Sequence, residues 1–341
     1  MAEPQLMVGV IAGLNSVQSI IVREEASGKL RLMGEHRGRE VLDKPDSTVL
    51  LSRVRWSIEE AIKDAQVSQD DILTIGVASP GQIDIDKGLI LFSPLFNLRK
   101  DPFPLVEKLQ EYFGYRPITL INNDDVYGIG EQHIGIGKDI GDLVYVRVGF
   151  NIGASIIINK ELYTGADNLA GEFGHMVVEL DGPMCTCGNK GCLDMLVSRA
   201  AIQRKLHALH EDGRATILSK ELKKEPLDVN AAVIAEAIDQ EDFLACQVVE
   251  EAAEILGIGI ANIINFLNPH RVILGGDVID EIDLFFEKAV ESARRRSLHA
   301  SIRNVSIERV VLGTTAGAYG AAVFAKQRFV QTSNHRDSTE V

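Results

Sequence analysis

The chain has little cysteine and a deficit of positive charge. Only four cysteines occur among its 341 residues, and three of them fall within eight positions. This distribution does not fit a disulfide framework and is typical of a reducing compartment. Lys and Arg number 35 against 49 Asp and Glu, which gives a net charge of −14. The acidic balance argues against direct binding of nucleic acid or anionic membranes.

No apolar run is long enough to span a bilayer. The longest, residues 255–267, falls short of the length required and contains two asparagines. The first residues of the chain also lack the basic region that opens a signal peptide. We therefore expect a cytoplasmic protein.

The clustered cysteines follow a histidine in the pattern H-x9-C-x-C-x4-C, formed by His175, Cys185, Cys187 and Cys192. One imidazole and three thiolates are the complement of a closed tetrahedral zinc site. Four protein ligands leave no open position for water, which favours structural zinc over catalytic zinc. The alternative interpretation is a group of thiols near an unrelated histidine.

The order of predicted elements occurs twice. Residues 7–38 give three strand-like runs, followed by a helix from about Ser47 to Gln66 that Ser47 or Thr48 would cap. A strand at 72–79 and later helix-strand-helix signals up to 134 come next. The same order restarts at 142 and ends with a helix at 280–296, a strand at 305–312 and a helix at 315–328. The repetition predicts two related α/β domains that face a cleft.

The predicted domain bounds follow from this repeat. An N-terminal α/β domain covers residues 1–122, and a C-terminal α/β domain covers residues 123–330. The second carries a zinc-binding insertion at 171–194 and a helical insertion after it. Residues 331–341 are polar and are predicted to form a flexible tail.

Two adjacent motifs carry a resemblance to a known family. The sequence GEFGH at 171–175, followed by C-x-C-G-x-x-G-C-L at 185–193, resembles the signature of the ROK family of sugar kinases and sugar-responsive repressors. Further matches are GVASPGQID at 76–84, INNDD at 121–125, FLNPHRVILGG at 266–276 and GTTAGAYGAA at 313–322. The resemblance spans about residues 7–328. It implies the actin/hexokinase/Hsp70-like (ribonuclease H-like) fold, with duplicated βββαβα domains flanking a cleft.

The resemblance implies a monosaccharide ligand. Asn123 and Asp124 match the family's sugar-binding pair, and in a kinase Asp124 would be the catalytic general base. Either residue could instead cap the helix that follows. Glu172 and His175 match the sugar-binding E-x-G-H motif, so that His175 could serve both zinc and sugar.

Two further positions belong to the implied sugar site. Asp194 stands where the family usually has glutamate, and its side chain is shorter by one methylene group. Gly81, in the sequence Ser-Pro-Gly, would let the backbone approach the sugar closely or would simply form a turn.

The nucleotide side departs from the family pattern. The kinases' D-x-G-G-T loop reads Ile11-Ala12-Gly13-Leu14-Asn15 here, and their G-T-G-I-G loop reads Gly149-Phe150-Asn151-Ile152-Gly153. Isoleucine cannot hold a hydrated magnesium ion, and Leu14 and Phe150 crowd turns that must approach phosphates. Binding of ATP and Mg²⁺ is therefore not expected.

Three functions are compatible with these observations. The favoured one is the effector domain of a sugar-sensing transcriptional regulator, similar to the xylose, glucose and N-acetylglucosamine repressors. The second is an ATP-dependent sugar kinase acting on a hexose or N-acetylhexosamine, and the third is a zinc-held scaffold without a ligand. The sugar domain starts by residue 7, so this chain alone is not expected to bind operator DNA. A homodimer or homotetramer is expected.

Overall fold

The computed structural model describes residues 6–13, 16–39, 46–224, 229–313 and 315–339. They fall into two compact units. The first unit comprises Met1–Asp139, Leu162–Ala170 and Thr314–Val341. The second comprises Ile140–Glu161 and Gly171–Gly313.

Strands and helices alternate along both units. In chain order the strands are β1 (Leu6–Ala12), β2 (Ser16–Glu24), β3 (Leu30–Arg39), β4 (Ile72–Ser79), β5 (Gln82–Asp84), β6 (Leu89–Phe92), β7 (Ile118–Asn122), β8 (Leu143–Val148), β9 (Ile152–Ile158), β10 (Glu161–Leu162), β11 (Arg271–Gly275) and β12 (Ser306–Arg309). The helices are α1 (Ser47–Ala65), α2 (Leu105–Phe113), α3 (Asn123–Ile134), α4 (Asp194–Val197), α5 (Arg199–Glu211), α6 (Ser219–Leu222), α7 (Ala231–Asp239), α8 (Phe243–Leu267), α9 (Asp277–Glu281), α10 (Asp283–Arg296), α11 (His299–Ile302) and α12 (Thr315–Thr339).

The first unit is built on a five-stranded mixed sheet in the order β3-β2-β1-β4-β7. β1 pairs antiparallel with β2 and parallel with β4, and β4 pairs parallel with β7. Parallel neighbours need long crossover connections, which here contain α1 and α2. Every residue of β1 is buried. A strand that is buried along its whole length needs helices to cover the sheet. α12 provides such cover, since it packs against β1 and β4 as well as against α3.

The second unit repeats this plan with the strand order β10-β9-β8-β11-β12. β8 pairs antiparallel with β9 and parallel with β11, and β11 pairs parallel with β12. The predicted repetition of elements is therefore confirmed. A large cluster of buried aliphatic residues from β8, β11, α8 and α10 forms the core of this unit.

The cap of one helix and the continuity of another differ from the sequence prediction. The N-cap of α1 is Asp46, not Ser47 or Thr48, because its carboxylate accepts hydrogen bonds of 2.9 Å from the N–H groups two and three residues later. The predicted helix at 280–296 is two helices, α9 and α10. They are separated at Ile282, whose backbone is extended with φ −114° and ψ 91°.

The division into units also differs from the predicted domain bounds. A boundary between 122 and 123 would separate β7 from α3, yet both lie in the first unit. α12 belongs to the first unit as well, because it packs on that unit's sheet and on α3. This helix continues to Thr339, so residues 331–339 of the predicted flexible tail are helical.

Within residues 6–339, apart from the segments that the structure leaves out, no helix combines the length and apolarity of a membrane span.

Candidate functional site

Four side chains of the cysteine segment, residues 171–194, converge at one point of the second unit. The Nδ1 atom of His175 lies 3.6 Å from the Sγ atom of Cys185, and the Sγ atoms of Cys187 and Cys192 are also 3.6 Å apart. All four candidate ligand atoms lie within 4.8 Å of one another. Around a tetrahedral ion with metal–sulfur bonds of about 2.3 Å, two sulfur atoms are about 3.8 Å apart. The cluster therefore has the dimensions of a tetrahedral metal site.

The backbone of the cysteine segment wraps tightly around these ligands. The N–H group of Cys185 donates to the carbonyl of Asn189 at 2.7 Å, and the N–H group of Val178 donates to the carbonyl of Gly191 at 3.0 Å. Gly191 has φ +68°, and a Cβ atom there would lie only 1.5 Å from the carbonyl oxygen of Glu179. Only glycine fits that position.

The acidity of the thiols also bears on metal binding. Burial raises the pKa of the Cys192 thiol to about 12. The pKa of Cys187 is lowered, chiefly by a backbone hydrogen bond at Asn189. Metals bind the thiolate form, so the buried thiol gives up its proton only where a cation compensates the charge. The donor set is therefore chemically suited to a metal ion.

His175 links the cluster to an exposed carboxylate. Its Nδ1 atom faces Cys185, while its Nε2 atom lies 3.7 Å from an Oε2 atom of Glu172. The side chains of His175 and Glu172 are 42% and 55% exposed, so both can reach a ligand from solvent. The turn that carries them is anchored by Phe173, which is buried against α8. The ring thus has one nitrogen for the cluster and a second facing a carboxylate, an arrangement that fixes the orientation of metal-binding histidines.

In the first unit, polar residues stand where β7 meets α3. Asn122 is the N-cap, because its Oδ1 atom accepts a hydrogen bond of 2.8 Å from the N–H group of Asp124. The alternative in which Asn123 or Asp124 is the cap is therefore wrong, and both residues lie in the first turn of α3. The Nδ2 atom of Asn123 donates to the carbonyl of Ala12 at 2.7 Å. Its buried Oδ1 atom has no hydrogen-bond partner among the described residues, which leaves an acceptor for a ligand hydroxyl.

Gly81 is held beside the same junction. Its carbonyl accepts a hydrogen bond of 2.8 Å from the Nδ2 atom of Asn122. Its φ of +124° and a distance of 2.4 Å from a would-be Cβ atom to the carbonyl of Phe92 require glycine here. The structure therefore brings Gly81 together with the Asn122–Asp124 turn of the first unit, whereas Glu172, His175 and Asp194 belong to the second unit.

The first altered loop presents an apolar side chain in place of an acid. Ile11 is only 8% exposed. Its Cδ1 atom would lie 2.6 Å from a Cβ atom at Gly317 of α12, and the ring of Tyr127 lies 3.1 Å from the same point. Ile11 therefore packs beneath α12 and offers no oxygen ligand to a cation. Leu14 and Asn15, which complete this loop, lie outside the described residues.

The second altered loop, residues 149–153, forms the turn between β8 and β9. The N–H group of Gly149 donates to the carbonyl of Asn151 at 3.1 Å. The N–H group of Ile152 donates to the Oδ1 atom of Asp194 at 2.7 Å. A loop that cradles phosphate needs such N–H groups directed at the ligand. Two of them already have acceptors within the protein.

Two residues that sequence reasoning missed hold this loop from outside. Arg199 donates its backbone N–H to the carbonyl of Gly149 at 2.8 Å, and its Nε atom lies 2.7 Å from the Oδ2 atom of Asp277. Its guanidinium also lies 5.7 Å from the ring centre of Phe150, within the range of a cation–π contact. Neither Arg199 nor Asp277 belongs to a motif, so only the packing of α5 and α9 reveals them.

Asp194 is half-buried in the second unit. Burial raises the pKa of its carboxyl group, and the hydrogen bond from the N–H group of Ile152 opposes that shift. Its predicted contact with a sugar stays a prediction. The structure places its Oδ1 atom against the backbone of the second loop.

Comparison with known proteins identifies the family. The profile of the ROK family matches residues 22–328. The xylose repressor of Caldicellulosiruptor bescii is 33% identical over 279 residues, which cover 80% of this chain and 68% of that protein. The glucokinase of Thermotoga maritima is 30% identical over 254 residues, which cover 74% of this chain and 79% of that protein. The chain belongs to the ROK family.

Solved structures agree with this assignment. A ROK family glucokinase from Streptomyces griseus, in complex with glucose and AMPPNP, superposes with a TM-score of 0.78 at 25% identity, covering 94% of this chain and 99% of the other. A ROK family transcriptional regulator homologous to the Escherichia coli MLC protein gives a TM-score of 0.78 at 22% identity, covering 95% and 78%. The predicted α/β fold of the actin/hexokinase type is confirmed. Repressors and kinases alike share it, so the fold alone does not separate regulator from enzyme.

Proposed function

We propose that this chain is the sugar-binding effector domain of a ROK-type transcriptional regulator that no longer binds ATP. The observation that carries the proposal is the state of the second loop. Its N–H groups at Gly149 and Ile152 donate to acceptors within the protein, so they are not directed at a phosphate. Phosphoryl transfer depends on positioning and charge neutralisation by such loops.

The first loop supports the same proposal. A buried isoleucine replaces the acid that organises magnesium in the kinases. Restoring a cation there would require a carboxylate in an apolar contact between β1 and α12, which is unfavourable. The second loop thus lacks N–H groups directed at a phosphate, and the first lacks the acid that organises magnesium, both of which the binding of a nucleoside triphosphate needs.

The proposed ligand is a monosaccharide. The unsatisfied Oδ1 atom of Asn123 and the carboxylate of Asp124 in the first unit, and the exposed side chains of Glu172 and His175 in the second, are the groups proposed to bind its hydroxyls. Carboxylates and amides are suited to hydroxyl recognition because they accept hydrogen bonds. Gly81 would hold the Asn122–Asp124 turn in place.

Zinc is the proposed occupant of the cysteine cluster. One imidazole and three thiolates match its preference, and four protein ligands close the coordination shell. The metal would supply no chemistry to a reaction and would fix the segment that carries Glu172 and His175. A closed homo-oligomer remains part of the proposal.

A kinase is the second candidate, and Asp124 is the observation that favours it. This residue occupies the position of the family's general base, in the first turn of α3. A kinase would need to bind Mg-ATP, whereas the second loop pairs two of its N–H groups within the protein and the first loop has isoleucine in place of the acid.

A calorimetric titration with pentoses, hexoses and N-acetylhexosamines, with and without Mg-ATP, tests the proposal. We expect one sugar to bind with the same affinity in both conditions and no sugar phosphate to form. Turnover of any sugar with Mg-ATP would establish the kinase instead. If no sugar binds and none is phosphorylated, the chain is neither a sensor of these sugars nor a sugar kinase.

A variant in which Asp124 is replaced by asparagine should still bind sugar if the chain is a regulator, since asparagine keeps a side-chain acceptor.

A further inference from the structure

We infer that Asp194 is a positioning residue that fastens the cysteine segment to the loop at 149–153, and that it does not contact the sugar. The inference deepens the proposed function, because the segment it fastens carries the proposed sugar-binding residues. Its structural part depends only on the geometry of the second unit.

Asp194 stands between the two parts that it would join. It follows Cys192 by two positions and opens α4. Its Cβ atom would lie 3.4 Å from a Cβ atom at Gly174, in the turn between Glu172 and His175. From there its Oδ1 atom reaches the N–H group of Ile152 at 2.7 Å. One short side chain therefore spans from the candidate sugar-binding turn to the loop.

A second fastening lies five residues further along the chain. The N–H group of Arg199 donates to the carbonyl of Gly149, and the guanidinium is paired with Asp277. The two hydrogen bonds hold the loop at both ends, one at Gly149 and the other at Ile152. The loop at 149–153 is thus tied to Asp194, the last residue of the cysteine segment, and to Arg199, which lies just beyond that segment.

The length of the side chain matters for this role. An aspartate commonly bonds to a nearby backbone N–H because its carboxylate lies close to its own backbone. Glutamate, which the family usually has here, carries its carboxylate one methylene further away. The change from Glu to Asp therefore fits a residue directed at the loop, and it coincides with loss of the loop's phosphate-binding features.

Two variants of Asp194 separate positioning from sugar contact. Asp194→Asn keeps an Oδ1 acceptor for Ile152 but removes the negative charge, whereas Asp194→Ala removes the acceptor. Amide exchange at Ile152, measured by NMR in the sugar-free protein, reports on the fastening alone. The dissociation constant for the best-binding sugar reports on function. Asp181→Ala, an exposed acid of the same segment, is the matched control.

If Asp194 holds the loop, the two variants should differ in the exchange rate of the Ile152 amide. Asp194→Ala should raise the exchange rate of the Ile152 amide by about tenfold or more, because a buried donor loses its acceptor. Asp194→Asn and Asp181→Ala should leave that rate within about twofold, and Asp194→Asn should keep the sugar affinity of the wild-type protein.

Two results would overturn the inference. One is unchanged exchange at Ile152 in Asp194→Ala. The other is a loss of sugar affinity of about tenfold in Asp194→Asn with normal exchange at Ile152, which would make Asp194 a direct sugar ligand. If the wild-type protein binds no sugar, the proposed function fails, while the exchange measurement still decides whether Asp194 holds the loop.

Discussion

The cysteine segment and the loop at 149–153 belong to the same unit but differ in whether their polar groups are exposed or are hydrogen-bonded within the protein. In the segment, the side chains of His175 and Glu172 are 42% and 55% exposed. In the loop, the N–H groups of Gly149 and Ile152 donate to acceptors within the protein. The first region exposes polar side chains to solvent, and the second pairs its N–H groups within the protein.

The difference distinguishes the proposed sugar site from the loop that is proposed to have lost phosphate binding. Buried polar groups are stable only when paired, so a loop that binds no ligand is expected to find acceptors in the protein. Asp194 is such an acceptor, and the carbonyl of Gly149 accepts a hydrogen bond from the backbone N–H group of Arg199. The first loop follows another route, in which an apolar residue, Ile11, replaces the acid and packs beneath α12.

Loss of a metal ligand is expected to have the largest effect. Cys192→Ser removes a buried thiol from the cluster, so the protein should lose its metal and about 3 kcal/mol or more of unfolding free energy. Metal content by mass spectrometry and thermal unfolding would measure both. Cys246→Ser, which alters the cysteine outside the cluster, should change neither. A Cys192→Ser protein that retains metal and stability would remove Cys192 from the ligand set.

Restoring the acid of the first loop should cost stability without restoring nucleotide binding. Ile11→Asp places a carboxylate in a site that is 8% exposed, which we expect to lower the unfolding free energy by about 3 kcal/mol. Ile11→Val, the conservative control, should cost about 1 kcal/mol. Thermal unfolding with and without Mg-ATP measures both effects. Stabilisation of the Ile11→Asp protein by Mg-ATP would mean that the second loop still accepts phosphate.

A change at the exposed carboxylate of the cysteine segment should affect sugar binding alone. Glu172→Gln removes a charged acceptor, and we expect the sugar affinity to fall by about tenfold. Metal content and thermal stability should stay the same, because Glu172 is outside the ligand set. Glu179→Gln, at an exposed position of the same segment, is the control for calorimetric titration. Equal losses in both variants would remove Glu172 from the proposed sugar site.

The smallest expected effect is on the pH dependence of unfolding, through a histidine of the first unit. Burial lowers the pKa of His133, at the far end of the helix that carries Asn123 and Asp124. The folded state therefore favours the neutral imidazole ring. Burial of the neutral ring contributes fully to the free energy of unfolding above the unfolded-state pKa of about 6.5. That contribution is lost as the pH falls below this value, because the unfolded state then binds a proton more readily than the folded state. Urea unfolding between about pH 5 and 8 should show a weaker pH dependence for His133→Gln. His299→Gln, at an exposed position, should match the wild-type slope.

Much of the fold could be predicted because its signals are local. The repeated order of strands and helices follows from apolar periodicity and turn residues, and the two sheets confirm it. The cap of α1 and the break between α9 and α10 were predicted wrongly, because they depend on the side chain of Asp46 and on the extended backbone of Ile282, which periodicity does not specify. The assignment of α12 to the first unit depends on packing between residues far apart in the sequence.

The sequence by itself determined the family, the set of four metal-binding candidates and the loss of the acid at Ile11. These features consist of residue types at fixed spacings, and spacing is a property of the chain. The tertiary structure decided that Asn122 caps α3, that Ile11 lies beneath α12, and that Asp194 accepts the N–H of Ile152. Such pairings join residues that are distant along the chain, and only folding brings donor and acceptor within reach.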